Sequence, residues 1–277
     1  MSALALALVL LAALLHASWN AMVKANGDRA IVLAGVAFVH FVGGTIVAIL
    51  APMPAPESWP FIIASAIIHY FYYALIFFAY RWGDLSHVYP VSRGIAPALV
   101  TLGAWLFVGE TLTPLGWAGV TTVSLGILFL TAGKRIAGTD PRALFAALTT
   151  GVVIAIYSVV DGVGVRLSGA PMGYIGWLFA SEVLITAFVL ARRRKTLPSV
   201  HNKLVWVGLL GGVFSAAAYG LVIFSATIAP LGGISAVRES SVIIAALIGV
   251  FMFGERPMAK RLIAAVIVAA GVLMLAA

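Results

Sequence analysis

Two arginines occupy matched positions in two apolar stretches of the chain. Arg93 and Arg238 each lie about two helical turns inside a stretch that holds few other charges. A charge inside a bilayer costs roughly 2.5 kcal/mol or more, so such a residue marks a pathway or a pair. A guanidinium group binds a carboxylate or a phosphate in bidentate geometry. The two arginines therefore predict either a site for an anionic group in the membrane interior or ties between helices.

Acidic and imidazole side chains lie in the same kind of stretch. Glu239 follows Arg238 directly, but adjacent residues of a helix do not face each other, so Glu239 needs another partner, a proton or water. Glu182 is the acid closest to the middle of its stretch, and a shift of 141 residues places its neighbour Ser181 on His40. A Glu and a His at this depth predict a proton relay, a group that binds an amine, or a protonated acid bonded to a nearby helix.

Polar aromatic residues recur on single helical faces. His16, Trp19 and Asn20 share one face through spacings of three and four, and Tyr157 and Asp161 share the corresponding face in the second half. Further candidates are His69, Tyr73 and Tyr219. Such rings combine apolar area with a polar tip. They predict the lining of a cavity for a solute that has polar and apolar parts, or an aromatic belt at the membrane surface.

Prolines and glycines mark the helix ends in the same regions. Pro90 and Pro97 flank Arg93 and predict either an interrupted helix beside it or a simple kink. The Gly-Glu pairs at 109–110 and 254–255 predict a glycine that ends one helix and a glutamate that starts the next.

These residues recur because the chain repeats itself. Residues 70–130 align without a gap on residues 215–275 after a shift of 145, and this alignment places Arg93 on Arg238. Upstream the shift is 141 and places Asn20 on Asp161. We predict one repeat over 1–137 and a second over 138–277. Each repeat holds five apolar stretches, and an odd number of crossings inverts the second repeat. Secondary transporters use inverted repeats of this kind, with the site near the midplane.

The composition requires these repeats to lie in a membrane. The chain of 277 residues is 63% hydrophobic and 9% charged, which is far too apolar for a water-soluble domain. A helix needs about 20 apolar residues to cross the hydrocarbon core. The fold class is therefore an all-α integral membrane protein with ten transmembrane helices in two inverted five-helix repeats around a central cavity. The predicted spans are 2–22, 30–50, 60–80, 86–107, 114–132, 143–164, 172–191, 203–225, 231–253 and 259–276.

The basic residues predict the orientation of these spans. Fourteen Lys and Arg residues fall in the connections after odd-numbered spans, and only Arg166 falls after an even-numbered span. Because basic residues collect in cytoplasmic loops, both termini are expected to face outward from a bacterial-type inner membrane. The run 192–195 also suits anionic lipid, although a topology anchor explains it equally.

The ten spans, the inverted repeats and the Gly-Glu pairs resemble the EamA branch of the drug/metabolite transporter superfamily, over essentially the whole chain. The resemblance implies a basket of helices around a cavity, with the fifth and tenth helices peripheral. It also implies movement of small metabolites, often the export of amino acids, as in aromatic amino-acid exporters of the YddG type. The expected substrate-binding residues are Arg93, Arg238, Glu239, Glu182, His16, Trp19, Asn20, Tyr73, His69, Tyr157, Asp161 and Tyr219.

Other functions leave little trace in the sequence. There is no Walker loop, no glycine-rich dinucleotide motif and no cysteine, and the five histidines lack metal-ligand spacing. We expect no catalytic residue, metal or cofactor, and no nucleic-acid partner; the partners are a small solute and the bilayer, with protons left open, and the chain acts as a monomer or weak dimer. The competing functions are proton-driven export of cationic drugs through Glu182 or Glu239, a channel-like facilitator, and an intramembrane enzyme built on His16, Asp161 and Glu182.

Overall fold

The computed structural model describes the backbone of residues 1–25, 29–82, 85–130, 140–195, 198–199, 201–254 and 256–277. Within these ranges it describes the side chains except at 29–30, 73–74, 76–82, 85–89, 189, 193 and 252–253. The described secondary structure is helical, with no β-strand. The helices are α1 Ala3–Lys24, α2 Arg29–Leu50, α3 Trp59–Trp82, α4 Leu85–Gly103, α5 Pro114–Phe129, α6 Pro141–Leu167, α7 Pro171–Ala180, α8 Val183–Arg193, α9 Lys203–Ser225, α10 Leu231–Arg238, α11 Ser240–Phe253 and α12 Met258–Ala276.

The apolar stretches form these helices because their lengths match the hydrocarbon core. Within the described residues, eight helices are long and apolar enough to cross a membrane, and Pro114–Phe129 is apolar but shorter. Each predicted span coincides with one helix or with two consecutive helices, and the bounds differ by a few residues at most. The all-α membrane class is thus confirmed, while ten crossings remain a prediction.

Short polar motifs set the helix ends. Ser2, Thr113 and Asn202 each accept a backbone N–H of the first turn that follows, which satisfies a donor that the helix cannot pair. Gly109 and Gly254 end their helices with φ of 73° and 64°, a conformation that favours glycine. The predicted glycine caps are confirmed. The prediction that Glu110 starts the next helix is wrong, because α5 begins only at Pro114.

Helix interruptions lie beside acidic residues rather than at the prolines. α4 runs without interruption through Pro90 and Pro97 and ends in a short π-helical turn, Ala104–Val108. The breaks fall instead at Ser181-Glu182, between α7 and α8, and at Glu239, between α10 and α11. Of the two alternatives at the prolines, the interrupted helix is therefore wrong.

The helices pack in pairs that recur between the two halves. α1 packs on α9 as α3 packs on α6, and α4 packs on α6 as α1 packs on α10 and α11. α2 contacts α7, and α5 contacts α12. The largest cluster of buried apolar residues extends through α4, α6, α7, α9, α10 and α11.

Glycines bring several backbones close together. A β-carbon added at Gly126 of α5 would lie 2.8 Å from Val268 Cγ2 of α12, and one added at Gly271 of α12 would lie 2.8 Å from Val123 Cγ2 of α5. A shift of 145 residues converts one of these contacts into the other. Small residues permit such close approach in membrane helices.

Candidate functional site

A buried ion pair joins the two halves of the protein. Arg93 Nη1 of α4 lies 2.8 Å from Glu239 Oε1, at the break between α10 and α11, and the two side chains are 3% and 1% exposed. The break places Glu239 where its carboxylate faces α4 rather than the preceding Arg238. The pair removes most of the cost of burying either charge. Glu239 has therefore found the partner that its position required.

His16 completes the surroundings of Arg93. Its Nε2 lies 2.8 Å from Arg93 Nη2, and its Nδ1 lies 3.3 Å from Trp19 Nε1. Arg and Trp N–H groups only donate, whereas a neutral imidazole accepts at one nitrogen only. The shorter contact, from Arg93, is therefore the hydrogen bond, and the Trp19 ring meets the His16 ring edge-on. Asn20 Nδ2 donates to the carbonyl of His16 at 2.7 Å. The predicted polar face of α1 therefore lies against Arg93, with His16 in direct contact.

Arg238 has very different surroundings. It is 8% exposed, and its guanidinium carbon lies 5.3 Å from the centre of the Tyr219 ring, within the range of a cation–π contact. No hydrogen bond or ion pair joins its guanidinium group to any residue that the structure describes. The side chain instead lines a narrow cavity with Ser158, Asp161 and Ser235. An unneutralised guanidinium group beside a cavity is a binding group for a carboxylate or a phosphate.

Asp161 forms the acidic part of the same cavity. Tyr174 donates its hydroxyl to Oδ1 at 3.0 Å, and Tyr219 donates its hydroxyl to Oδ2. The Ser65 hydroxyl faces the same carboxylate, and the two oxygens together still keep an acceptor position. Tyr219 thus contacts the carboxylate through its hydroxyl and Arg238 through its ring face. Tyr219 therefore contacts the acidic and the basic group of the cavity at the same time.

Aromatic rings from three helices surround Tyr219. The ring of His69 lies 4.5 Å from Tyr157 and 5.6 Å from Tyr219, and Tyr157 meets Tyr219 at 88°. His69 Nδ1 lies 2.8 Å from the carbonyl of Ser65, so this nitrogen carries the proton and donates it. The cluster provides apolar contact area directly beside the charged groups.

A second acid lies outside this cavity. Glu182 Oε1, at the break between α7 and α8, is 3.1 Å from His40 Nδ1 of α2, and the His40 ring stacks on Phe179 at 4.8 Å. A small separate cavity extends from Glu182 to His69 and Tyr219. His40 and Glu182, which the sequence alignment places at a similar depth, are thus in contact.

An ion pair at one end of the cavity links the last turn of α6 to the segment before α5 and to the connection between α9 and α10. We call these contacts the Arg166 network. Arg166 Nη1 lies 2.5 Å from Glu110 Oε1, and Arg166 also donates to the carbonyls of Ala226 at 2.6 Å and Ala229 at 3.0 Å. Glu110 Oε2 accepts the backbone N–H of Leu231 at 2.8 Å, at the start of α10. Ala226 and Leu231 also line the cavity. The network therefore borders this end of the cavity, where it could limit access.

The predicted site residues thus fall into three groups. Arg238, Asp161 and Tyr219 line the cavity, and Tyr157 and His69 pack against the Tyr219 ring. The group around Arg93 comprises Glu239, His16, Trp19 and Asn20, and Glu182 lies with His40; the side chain of Tyr73 lies outside the described part of the structure.

Several contributors were missed by the sequence analysis. Tyr174, Phe179 and Ser235 lie on faces that only the tertiary structure brings to the site. Arg166 had been noted only as the exception to the charge bias. That exception was the available signal, because a lone basic residue on the poorly charged side needs a specific partner.

Together, the helical membrane fold and its charged interior define a multi-span membrane protein with a polar site between two halves. Residues 3–132 and 141–277 match the EamA-like transporter family, and the chain belongs to this family. It is therefore a membrane transporter of small molecules rather than an enzyme. No curated protein matches the chain. One solved crystal structure is similar with a TM-score of 0.72 at 19% identity, over 99% of this chain and 96% of that chain, a likeness of fold alone.

Proposed function

We propose that this protein exports small zwitterions, namely amino acids with apolar or aromatic side chains. The observation that carries the proposal is the Arg238 guanidinium group, which lies over the Tyr219 ring, has no hydrogen-bond or ion-pair partner among the described residues and faces a cavity. The solute carboxylate would bind Arg238, since a charged hydrogen bond of this kind contributes roughly 1.5–3 kcal/mol.

The rest of the cavity suits the other parts of such a solute. Asp161 keeps an acceptor position for an ammonium group, and Tyr219 contacts both this carboxylate and Arg238. Tyr157, His69 and Tyr219 provide ring faces for an apolar side chain, at about 1 kcal/mol for each ring contact. Lipophilic cations would leave Arg238 without a counter-charge, and this favours the zwitterion over the cationic drug.

Two inverted repeats of five helices, 1–137 and 138–277, would alternate the access to this cavity. The recurring helix pairs, and the matched contacts of Gly126 with Val268 and Gly271 with Val123, support this organisation. The contact between the Met1 amino group and the Leu275 carbonyl at 3.1 Å supports termini on one side, which we assign to the outside of an inner membrane.

The decisive experiment is counterflow of labelled phenylalanine in proteoliposomes. We expect uptake that unlabelled phenylalanine, methionine or threonine reduces and tetraphenylphosphonium leaves unchanged. Arg238→Gln should abolish counterflow, and Glu57→Gln, at an exposed carboxylate, should retain it. Competition by tetraphenylphosphonium with inert amino acids would instead establish the cationic-drug exporter.

A further inference from the structure

Polar atoms without partners accumulate where α2 meets α7 and α8, apart from the solute cavity. His40 Nδ1 contacts Glu182 Oε1 at 3.1 Å, whereas His40 Nε2 and Glu182 Oε2 make no hydrogen bond to a described residue, and the two side chains are 6% and 10% exposed. The hydroxyl of Thr186, one helical turn beyond Glu182, is buried in the same condition. Buried polar groups are nearly always paired, so this accumulation requires a functional explanation.

The dimensions and the composition of the cluster restrict its ligand. The 3.1 Å between His40 Nδ1 and Glu182 Oε1 leaves no room for a solute between the two groups. Within the described residues, no group of three or more His, Cys, Asp or Glu is placed to hold a metal ion. A proton needs only one nitrogen or oxygen atom to bind it. We propose that His40 and Glu182 form a proton-binding site that couples proton movement to transport; the coupling, though not the site, rests on the proposed function.

Burial makes proton exchange at this site conditional on a rearrangement. The pair has no net charge when it holds one proton beyond that of a neutral imidazole, whether this proton is on the imidazole or on the carboxylate. A second proton, or the loss of the first, would leave a net charge in the membrane interior, which is strongly disfavoured. Exchange therefore requires water. Glu182 takes a proton from water when one side opens and returns it to water when the other side opens, so that only O–H bonds form and break.

The position of the pair links this exchange to the two halves. α2 and α7 run antiparallel in close contact. A β-carbon added at Gly44 of α2 would lie 2.5 Å from Phe179 Cβ of α7, and one added at Gly176 of α7 would lie 2.5 Å from the Ala48 nitrogen of α2. The break that carries Glu182 lies within this contact, because α2 also packs on α8. Because α2 and α7 belong to different halves, movement between the halves at this break would hydrate the pair.

Few other titratable groups face the pair. His69 and Tyr70 of α3 and Tyr219 of α9 line the small cavity with Glu182, and the Tyr70 hydroxyl donates to the carbonyl of Ser181. His69 and Tyr219 also belong to the aromatic cluster at the solute cavity. The proton site and the solute site therefore share one wall.

The first measurement needs no solute. Infrared difference spectra of the purified protein, recorded during a pH titration, should contain a carboxyl C=O band that Glu182→Gln removes and Glu57→Gln retains. His40→Gln should change the titration curve of this band, because the two residues share a proton. Spectra of wild type and Glu182→Gln that coincide would overturn the proton site, even if phenylalanine is transported.

The second measurement tests the coupling. An imposed pH gradient should accelerate phenylalanine counterflow by the wild-type protein, and Glu182→Gln should lose this acceleration. Wild-type counterflow that ignores the gradient would refute the coupling. An intact Glu182 band with no transport of phenylalanine would leave the proton site standing and reject the proposed solute instead.

Discussion

Arg93 and Arg238 stand at equivalent positions of the two halves, but their surroundings differ. Arg93 is neutralised by Glu239 and bonded to His16, whereas Arg238 has only the face of Tyr219 and a cavity beside it. The difference arises from the next residue in each half. Glu239 corresponds to Gly94, where a β-carbon would lie 2.7 Å from Leu128 Cγ, so the first half has no space for a second carboxylate. Of these two arginines, Glu239 pairs with Arg93 only. Arg238 therefore has no ion-pair partner among the described residues and is available to a solute.

Replacing Arg93 should have the largest effect, on stability. Arg93→Gln leaves Glu239 as an unpaired buried charge, and breaking such a pair costs roughly 3–5 kcal/mol. Thermal unfolding in detergent should show a large decrease in the melting temperature. The double variant Arg93→Gln/Glu239→Gln should recover much of it, because no isolated charge remains. A single variant as stable as wild type would contradict the structural role of Arg93.

Arg238→Gln should reverse this pattern. Arg238 has no hydrogen-bond or ion-pair partner among the described residues, so the melting temperature of the variant should change little. The affinity for phenylalanine should fall by about tenfold to a hundredfold, in line with a charged hydrogen bond of roughly 1.5–3 kcal/mol. Arg238→Lys should retain part of the affinity, because it keeps the charge but loses the bidentate geometry. Unchanged affinity in Arg238→Gln would remove the distinction between the two arginines.

Tyr219 allows a finer test of the cavity. Tyr219→Phe keeps the ring beneath Arg238 and removes the hydroxyl that Asp161 accepts, at a cost of about 1 kcal/mol. We expect a fewfold loss of affinity in Tyr219→Phe and a further loss in Tyr219→Leu, which also removes the ring. The two variants should be compared by equilibrium binding. Equal affinities would show that the cation–π contact contributes nothing.

Arg166 offers the smallest effect, on access to the cavity. Its ion pair with Glu110 is partly exposed, so Arg166→Gln should weaken the closed arrangement by less than about 1 kcal/mol. The chain has no cysteine, so Ser235→Cys provides a single thiol in the cavity wall. A membrane-impermeant reagent should label this thiol a few times faster when Arg166→Gln is present. Arg166→Lys serves as the charge-preserving control, and an unchanged rate would exclude closure by the network.

The sequence predicted the features that depend on local physics. The spans followed from the thickness of the hydrocarbon core, and the caps at Gly109 and Gly254 followed from the rarity of positive φ in other residues. The pairing of Arg93 with Glu239 depends on how helices from different halves rotate against each other, which no local pattern encodes. The same holds for the break at Glu182, which no neighbouring proline marks, whereas α4 continues through Pro97.

The contact between α5 and α12 has a consequence for how the two halves recognise each other. Gly126 meets Val268 just as Gly271 meets Val123, so the same contact is made twice. Reciprocity of this kind characterises the two-fold interface of a homodimer. Here both surfaces belong to one polypeptide, and the interface resembles a subunit contact within a single chain. Two separately synthesised halves would carry complementary surfaces for assembly, and the connection between them would serve mainly to keep their numbers equal.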